Sequence, residues 1–384
     1  MSDRPPMVRT DTSNAFAHNT MKVRVPAIIR EVQALNPDYA PVIQAALTRL
    51  ASDMENDQPI PMIDALSPDY ELWASCYAPY AGDTWLNTDW FFAEVYGYRL
   101  LMQAVRWWET RRDPFAPKKA AELGNDELWL RLEKVLTSTE RDPEIRLIGL
   151  IHNALWGNRI DLSFAASQVH GTAVTNEDLL VDDSRAVARQ LLQNKGDIHL
   201  VADNTGTELA MDLVLLDELL TAHDNRVVVH VKMHPTFVSD ATASDVRTLI
   251  EKLCVYPNSL IQALGGRLDI AFQEGRLRLA PDFYWNSTRV LEDLPQHLIE
   301  VFRSAALVII KGDANYRRIV GDRLWSPDTS FVSITDFFPA PLLALRTLKS
   351  DLIVGLPSGM AERLDTHDTQ WRVNGRRGLI QFRL

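Results

Sequence analysis

After Lys195-Gly196 the sequence settles into an alternation that leaves few folds open to it. Short apolar runs, DIHLVADN, RVVVHVK, RLRLA, ALVIIKGD, FVSIT and DLIVGL, recur with helix-like stretches such as TGTELAMDLVLLDELLTAH between most of them. Six strands alternating with helices predict an α/β unit over residues 194–384, a Rossmann-like α/β/α domain with a largely parallel sheet. The upstream texture differs. Ile28, Ile29, Val32 and Leu35, then Val42, Ala45, Ala46 and Leu50, recur at helical spacing. TDWFFAEVYGYRLLMQAVRWWETRR reads as a long helix opening with Thr88 or Asp89, prolines interrupt RRDPFAPKK, and another helix over residues 142–155 stops near Gly157. Residues 21–193 are therefore expected to form a mostly helical N-terminal domain packed on the α/β one. Residues 1–20, rich in small polar side chains, are expected to form a flexible N-terminal arm.

Composition removes several functional classes. A formal charge of −11 over 384 residues argues against a nucleic-acid partner, because phosphate-backbone affinity needs clustered Lys and Arg. The longest apolar runs are too short to cross a bilayer, so no membrane role is expected. The opening MSDRPPMVRTDTSNAF lacks the apolar core of a secretory signal. Two cysteines, Cys76 and Cys254, support neither a disulfide framework nor a thiolate cluster, and a cytoplasmic location is the expectation.

In parallel sheets, ligands bind beyond the carboxyl ends of the strands, so polar residues at those ends are the first to weigh. Asp203 and Asn204 end DIHLVADN, and either a shared crevice or capping of the next helix explains them equally well. Glu208, in the first helical turn, suits the helix dipole and also faces the same crevice. Asp240, after RVVVHVK, sits among Ser and Thr residues that are themselves plausible caps. Together Asp203, Asn204 and Asp240 would offer hard oxygen ligands suited to Mg²⁺ or Mn²⁺ rather than zinc. His230 and His234 are four apart, but a strand separates their faces, so they do not suggest a zinc pair. Lys311, ending ALVII before Gly312, is either a phosphate contact or a snorkelling surface lysine. Asn315, Arg317 and Arg318 add donors, the arginines equally as a solvated helix face. No Walker glycine loop, Gly-x-Gly-x-x-Gly, Gly-x-Ser-x-Gly, His-Glu-x-x-His or strand-ending Asp-x-Asp occurs.

Several strings together resemble one family: LVADNTGTELAMDL, HPTFVSDAT, ALVIIKGDANYRRIVGDRLW, LRTLKSDLIVGL, and upstream LNTDWFFAEVYGYR and ALWGNRIDLS. They look like the metal-dependent damage-control phosphatases, in the branch whose animal member was named acidic residue methyltransferase. The resemblance covers roughly residues 25–356, in family order. It implies a helical domain on an α/β domain with the site between them, and metal ligands at Asp203, Asn204 and Asp240. It further implies substrate contacts from Glu208 and Lys311, and from Asn158 and Asp161 reaching in from the helical side; Asn315, a donor just after Lys311, is expected to join them. The implied activity is hydrolysis of small phosphorylated metabolites, for example fructose 1-phosphate or fructose 6-phosphate, with Mn²⁺ or Mg²⁺ (Co²⁺ or Ni²⁺ as substitutes) as cofactor. Two other functions fit the same resemblance: an S-adenosylmethionine-dependent protein-glutamate carboxyl methyltransferase, and a non-catalytic sugar-phosphate-binding protein. A methyltransferase would carry a glycine-rich turn where ADNTGTE has one glycine. A sensor would lack part of a ligand set that is complete here. The sequence names no oligomeric partner.

Overall fold

The computed structural model describes residues 4–157, 178–221 and 225–384. Its centre is a seven-stranded sheet built from β1 (Leu179–Asp182), β2 (Asp197–Val201), β3 (Arg226–Lys232), β4 (Leu277–Asp282), β5 (Leu307–Lys311), β6 (Leu342–Thr347) and β7 (Gly378–Arg383). The spatial order is β1-β7-β6-β5-β2-β3-β4. Every neighbouring pair is parallel except β6–β7. The expected α/β class with a largely parallel sheet is what forms. The central strands read as continuous apolar runs because both faces of the sheet are covered. Leu307 and Ile309 of β5 enter one apolar core, and Val308 and Ile310 enter the other. Leu343 and Leu345 of β6 likewise oppose Leu342 and Ala344. The first core also takes in the helices Val25–Leu35, Pro41–Glu55 and Trp90–Ala104, so the helical half and one face of the sheet share their packing.

Two expected strands are corrected. FVSIT forms the short helix Phe331–Ile334, with Ser330 accepting from the Ser333 N–H at its start. DLIVGL is extended and its apolar residues are buried, but it joins no ladder. Its backbone is satisfied by Gln381, which donates to the Val354 carbonyl at 2.7 Å, and by Gly355 and Leu356, which donate to Thr329 and Pro327. Three strands were not foreseen. β6 begins directly after Pro341 and β7 lies near the chain end, while β1 falls inside the stretch read as helical. The opening segment is also tied down among the described residues. Met7 bridges to Arg323 and Arg9 to Asp89, and Val8 is fully buried.

Candidate functional site

The parallel alignment of β5, β2 and β3 brings their carboxyl ends side by side, and with them Lys311, Asp203 and Lys232. The competing capping explanations fail here. The helix Thr207–Thr221 is closed not by Asn204 but by Glu122 from the helical half, which accepts from the Thr207 N–H at 2.9 Å. The helix Ala243–Val255 is closed by a reciprocal box between Thr242 and Asp245, which leaves Asp240 out. Freed from capping, Asn204 turns its amide nitrogen to Asp203 at 2.8 Å and Glu208 at 2.9 Å, and its oxygen accepts from the Ser239 hydroxyl at 2.6 Å. Backbone bonds lock the two loops: Ala241 N–H donates to Asp203 O, and Thr205 N–H to Ser239 O, each at 2.7 Å.

The loop delivering Asp240 is strained. Phe237 and Val238 both lie in the left-handed region, at φ 45° and 69°. For a β-branched valine this is a marked outlier, costing on the order of 1–3 kcal/mol and tolerated where the surroundings over-determine it. They do so here. Tyr98 of the helical half packs its ring 4.8 Å from that of Phe237, and Lys119 donates to the Asp240 carbonyl at 3.2 Å. The helical half thus completes the site through Tyr98, Lys119 and Glu122. None of these was singled out from sequence for such a role, because helical periodicity reports burial and not what a side chain reaches.

Electrostatics set this crevice apart. Asp203 is buried, and its carboxyl is held well above the usual range, first by burial and then by the negative charges of Glu208 and Asp240. Burial also lifts Asp240 to about 6, although Lys232 stands 3.4 Å from its Oδ2 and opposes the shift. That oxygen has no hydrogen-bond partner among the described residues. Carboxylates whose charges oppose one another, one with an orphaned oxygen, are the chemistry a hard cation would relieve, but the three do not converge closely enough to hold one by themselves. The Asn204 amide nitrogen now occupies the electropositive position between two of them. Turning that amide over would offer Oδ1 to a cation, with the Ser239 hydroxyl accepting instead of donating. The His, Cys, Asp and Glu side chains of the described residues form no metal-sized group of three, so the amide oxygen is needed as a ligand.

The lysines divide by role. Lys311 is 1% exposed, which excludes a snorkelling surface position. It contacts Asp212 at 2.7 Å, Glu208 at 3.1 Å and the Ala154 carbonyl, so its three N–H bonds are engaged. Burial opposes its charge, yet Asp212 and Glu208 outweigh burial and raise its pKa. Burial holds Asp212 at about 7 even beside this lysine. Lys232, overlooked in the sequence although it ends a strand as Lys311 does, reaches Asp240, the Trp285 carbonyl at 3.0 Å and Asn315 at 3.4 Å. Lys349, just beyond β6, is exposed, and its charge favours the ionised form of Asp203.

Asn315 braces strand ends, donating to Lys311 O at 2.8 Å and Ala202 O at 3.4 Å. Arg317 and Arg318 are buried rather than solvated. The first pairs with Glu94 at 2.6 Å and Asp322 at 2.7 Å, and the second donates to backbone carbonyls. His230 lies against His199 and His234 against Trp108, so the two rings are not paired. Asn158 and Asp161 lie outside the described residues. Gly157, just before them, packs so closely on the helix Thr207–Thr221 that a Cβ would sit 2.6 Å from Glu208 Cα.

A mostly parallel sheet with carboxylates, an amide and lysines converging beyond its strand ends defines an α/β protein with an oxygen-lined crevice. A model of the damage-control phosphatase ARMT1-like domain matches residues 20–364. The damage-control phosphatase ARMT1 of Danio rerio is 28% identical, over 98% of this chain and 97% of that protein. Its namesake in Mus musculus is 27% identical over 100% and 99%, and that in Homo sapiens 26% identical over 96% of each. The crystal structure of a DUF89 family protein from Pyrococcus horikoshii covers 94% of this chain and 97% of its own, at 13% identity and a TM-score of 0.49. The chain belongs to the damage-control phosphatase ARMT1-like family, and its class is that of a phosphatase. Among the described residues no helix is long and apolar enough to cross a membrane.

Proposed function

We propose that this chain is a divalent-metal-dependent phosphomonoester hydrolase acting on small sugar phosphates such as fructose 1-phosphate or fructose 6-phosphate. The observation that carries the reading is the buried crowding of Asp203, Glu208 and Asp240 beside the Asn204 amide. A Mn²⁺ or Mg²⁺ ion held by Asp203, Asn204 and Asp240 would neutralise that charge and polarise a phosphoryl oxygen. Asp203 would accept a proton from a water whose oxygen bonds to phosphorus as the bond to the sugar oxygen breaks, and would return that proton to the departing sugar hydroxyl, with no covalent phosphoenzyme formed. Lys349, exposed beside Asp203, can receive the phosphate directly, whereas Lys311 holds Glu208 and Asp212 in place behind it. Burial of Asp203, Asp240 and Lys311 at the strand ends strengthens the charge contacts among them.

Metal-stripped protein should release no phosphate from fructose 1-phosphate or fructose 6-phosphate, and Mn²⁺ or Mg²⁺ should restore release. Asp203→Ala and Asp240→Ala should remain folded and inactive. In isotopically labelled water, one label should enter the released phosphate. Turnover by the stripped Asp240→Ala protein would refute the assignment. The methyltransferase reading is less well supported, because the Glu122 carboxylate occupies the helix N-terminus after β2, where an amino-acid carboxylate would be repelled. Saturable binding of S-adenosylmethionine without phosphate release under any metal would favour it instead.

A further inference from the structure

A second cavity of about 480 Å³ lies between the helices Ala116–Leu123 and Ala243–Val255, at the carboxyl ends of β3 and β4. That volume is within the ordinary range for small-molecule sites. None of Asp203, Asn204, Glu208, Asp240 or Lys311 is on its wall. Its charge runs against that of the chain, which is −11 overall: four basic residues line it against two acidic ones. Two of the basic residues are committed inward. Lys119 bridges Asp113 at 2.8 Å and Asp245 at 2.7 Å, offsetting one of their two charges, and Lys232 is directed to Asp240. Arg111 and Lys252 make no ion pair among the described residues, so the cavity carries uncompensated positive charge.

The rim is also shaped for a ligand. Arg111 holds a left-handed backbone at φ 54°, with its guanidinium 4.6 Å from the Trp107 ring centroid and 5.3 Å from that of Trp108. Stacking restricts the side chain while leaving its N–H edge available, which lowers the ordering cost of binding an anion. On the facing helix, Ser244 and Thr248 border the same space and add hydroxyl-bearing side chains to its wall. We propose that this cavity binds a small organic anion, a phosphorylated or carboxylated metabolite, at a site separate from the Asp203 crevice.

Calorimetry on the full chain, stripped of metal on chelating resin, tests this with inorganic phosphate, citrate and AMP. Asp203→Ala run beside the parent assigns the uptake, because binding retained in that variant belongs to the cavity and binding lost with it belongs to the crevice. One-to-one saturable binding of at least one probe at millimolar concentration or below is expected. The double variant Arg111→Ala/Lys252→Ala should weaken it at least about tenfold. Its metal-dependent phosphate release, measured with the sugar phosphate substrate and none of the three probes present, should match that of the parent. The proposal fails if no probe binds saturably, or if the double variant binds as the parent does. It fails equally if Asp203→Ala abolishes the binding, or if the double variant loses basal turnover, since either result would place the anion in the crevice.

Discussion

Single side chains at the strand ends act either on substrate or on one another, and the two lysines near Asp203 separate these cases. Lys311 is enclosed by Asp212, Glu208 and the Ala154 carbonyl, so its removal would strand two carboxylates in a buried place. Lys311→Met should therefore destabilise the fold by roughly 3–5 kcal/mol, the scale for breaking one side of a buried ion pair, and chemical denaturation would measure it. Lys349 is exposed. Lys349→Ala should leave the denaturation midpoint unchanged and raise KM for a sugar phosphate, since losing a charge-assisted contact costs roughly 1.5–3 kcal/mol. If Lys311→Met proved fully stable and Lys349→Ala kinetically silent, the roles given to these residues would be exchanged or void. The sequence singles out Lys311 because it ends an apolar run before glycine. It could not reveal that Asp212, one helical turn after Glu208, would take up that ammonium.

Among elements, the junction of β5 with the helix Asp313–Ile319 makes the strictest demand. Gly312 adopts φ 90°, and a Cβ there would overlap the Asp203 carboxyl. Gly312→Ala should displace Asp203, abolishing turnover, and destabilise by about 1–3 kcal/mol through backbone strain alone. Wild-type turnover in that variant would show that Asp203 need not stay where the junction puts it. The same elements explain what was legible. β2, β3, β4 and β5 announce themselves as apolar runs bounded by polar turns, and the site residues follow from where those runs end. FVSIT and DLIVGL carry the same local signal. Whether such a run joins a ladder depends on partners distant in sequence, and β6 and β7 took those positions in the sheet. The strained Phe237-Val238 turn has no signature at all, because ordinary residues occupy a conformation that only tertiary contacts impose.

At the scale of the whole molecule, three buried imidazoles contribute a loss of stability toward acid pH. His199 on β2 and His230 on β3 face each other across the ladder at 2.9 Å, and His234 lies against Trp107 and Trp108. Burial depresses all three, to about 4, about 3 and about 4, from the usual imidazole value of 6.5. The folded state therefore binds fewer protons than the unfolded chain between those values and 6.5. Their contribution is fully present above the unfolded value and shrinks as pH falls through that window. At about pH 5 each ring removes up to roughly 2 kcal/mol, a large share of the few kcal/mol that hold a domain together. The imidazoles should thus add a declining component to the denaturation midpoint between about pH 6.5 and 4. A His199→Phe/His230→Phe double variant, filling the same sheet face beside Phe302, should flatten that decline even if its stability at neutral pH is lower. An undiminished slope in the double variant would mean that acid sensitivity originates elsewhere. The crevice carboxyls, held above their usual range, oppose that decline in the metal-free protein, because the folded state takes up their protons before the unfolded chain does. A bound cation would reverse the sign of their share and tie it to metal concentration, while leaving that of the imidazoles untouched.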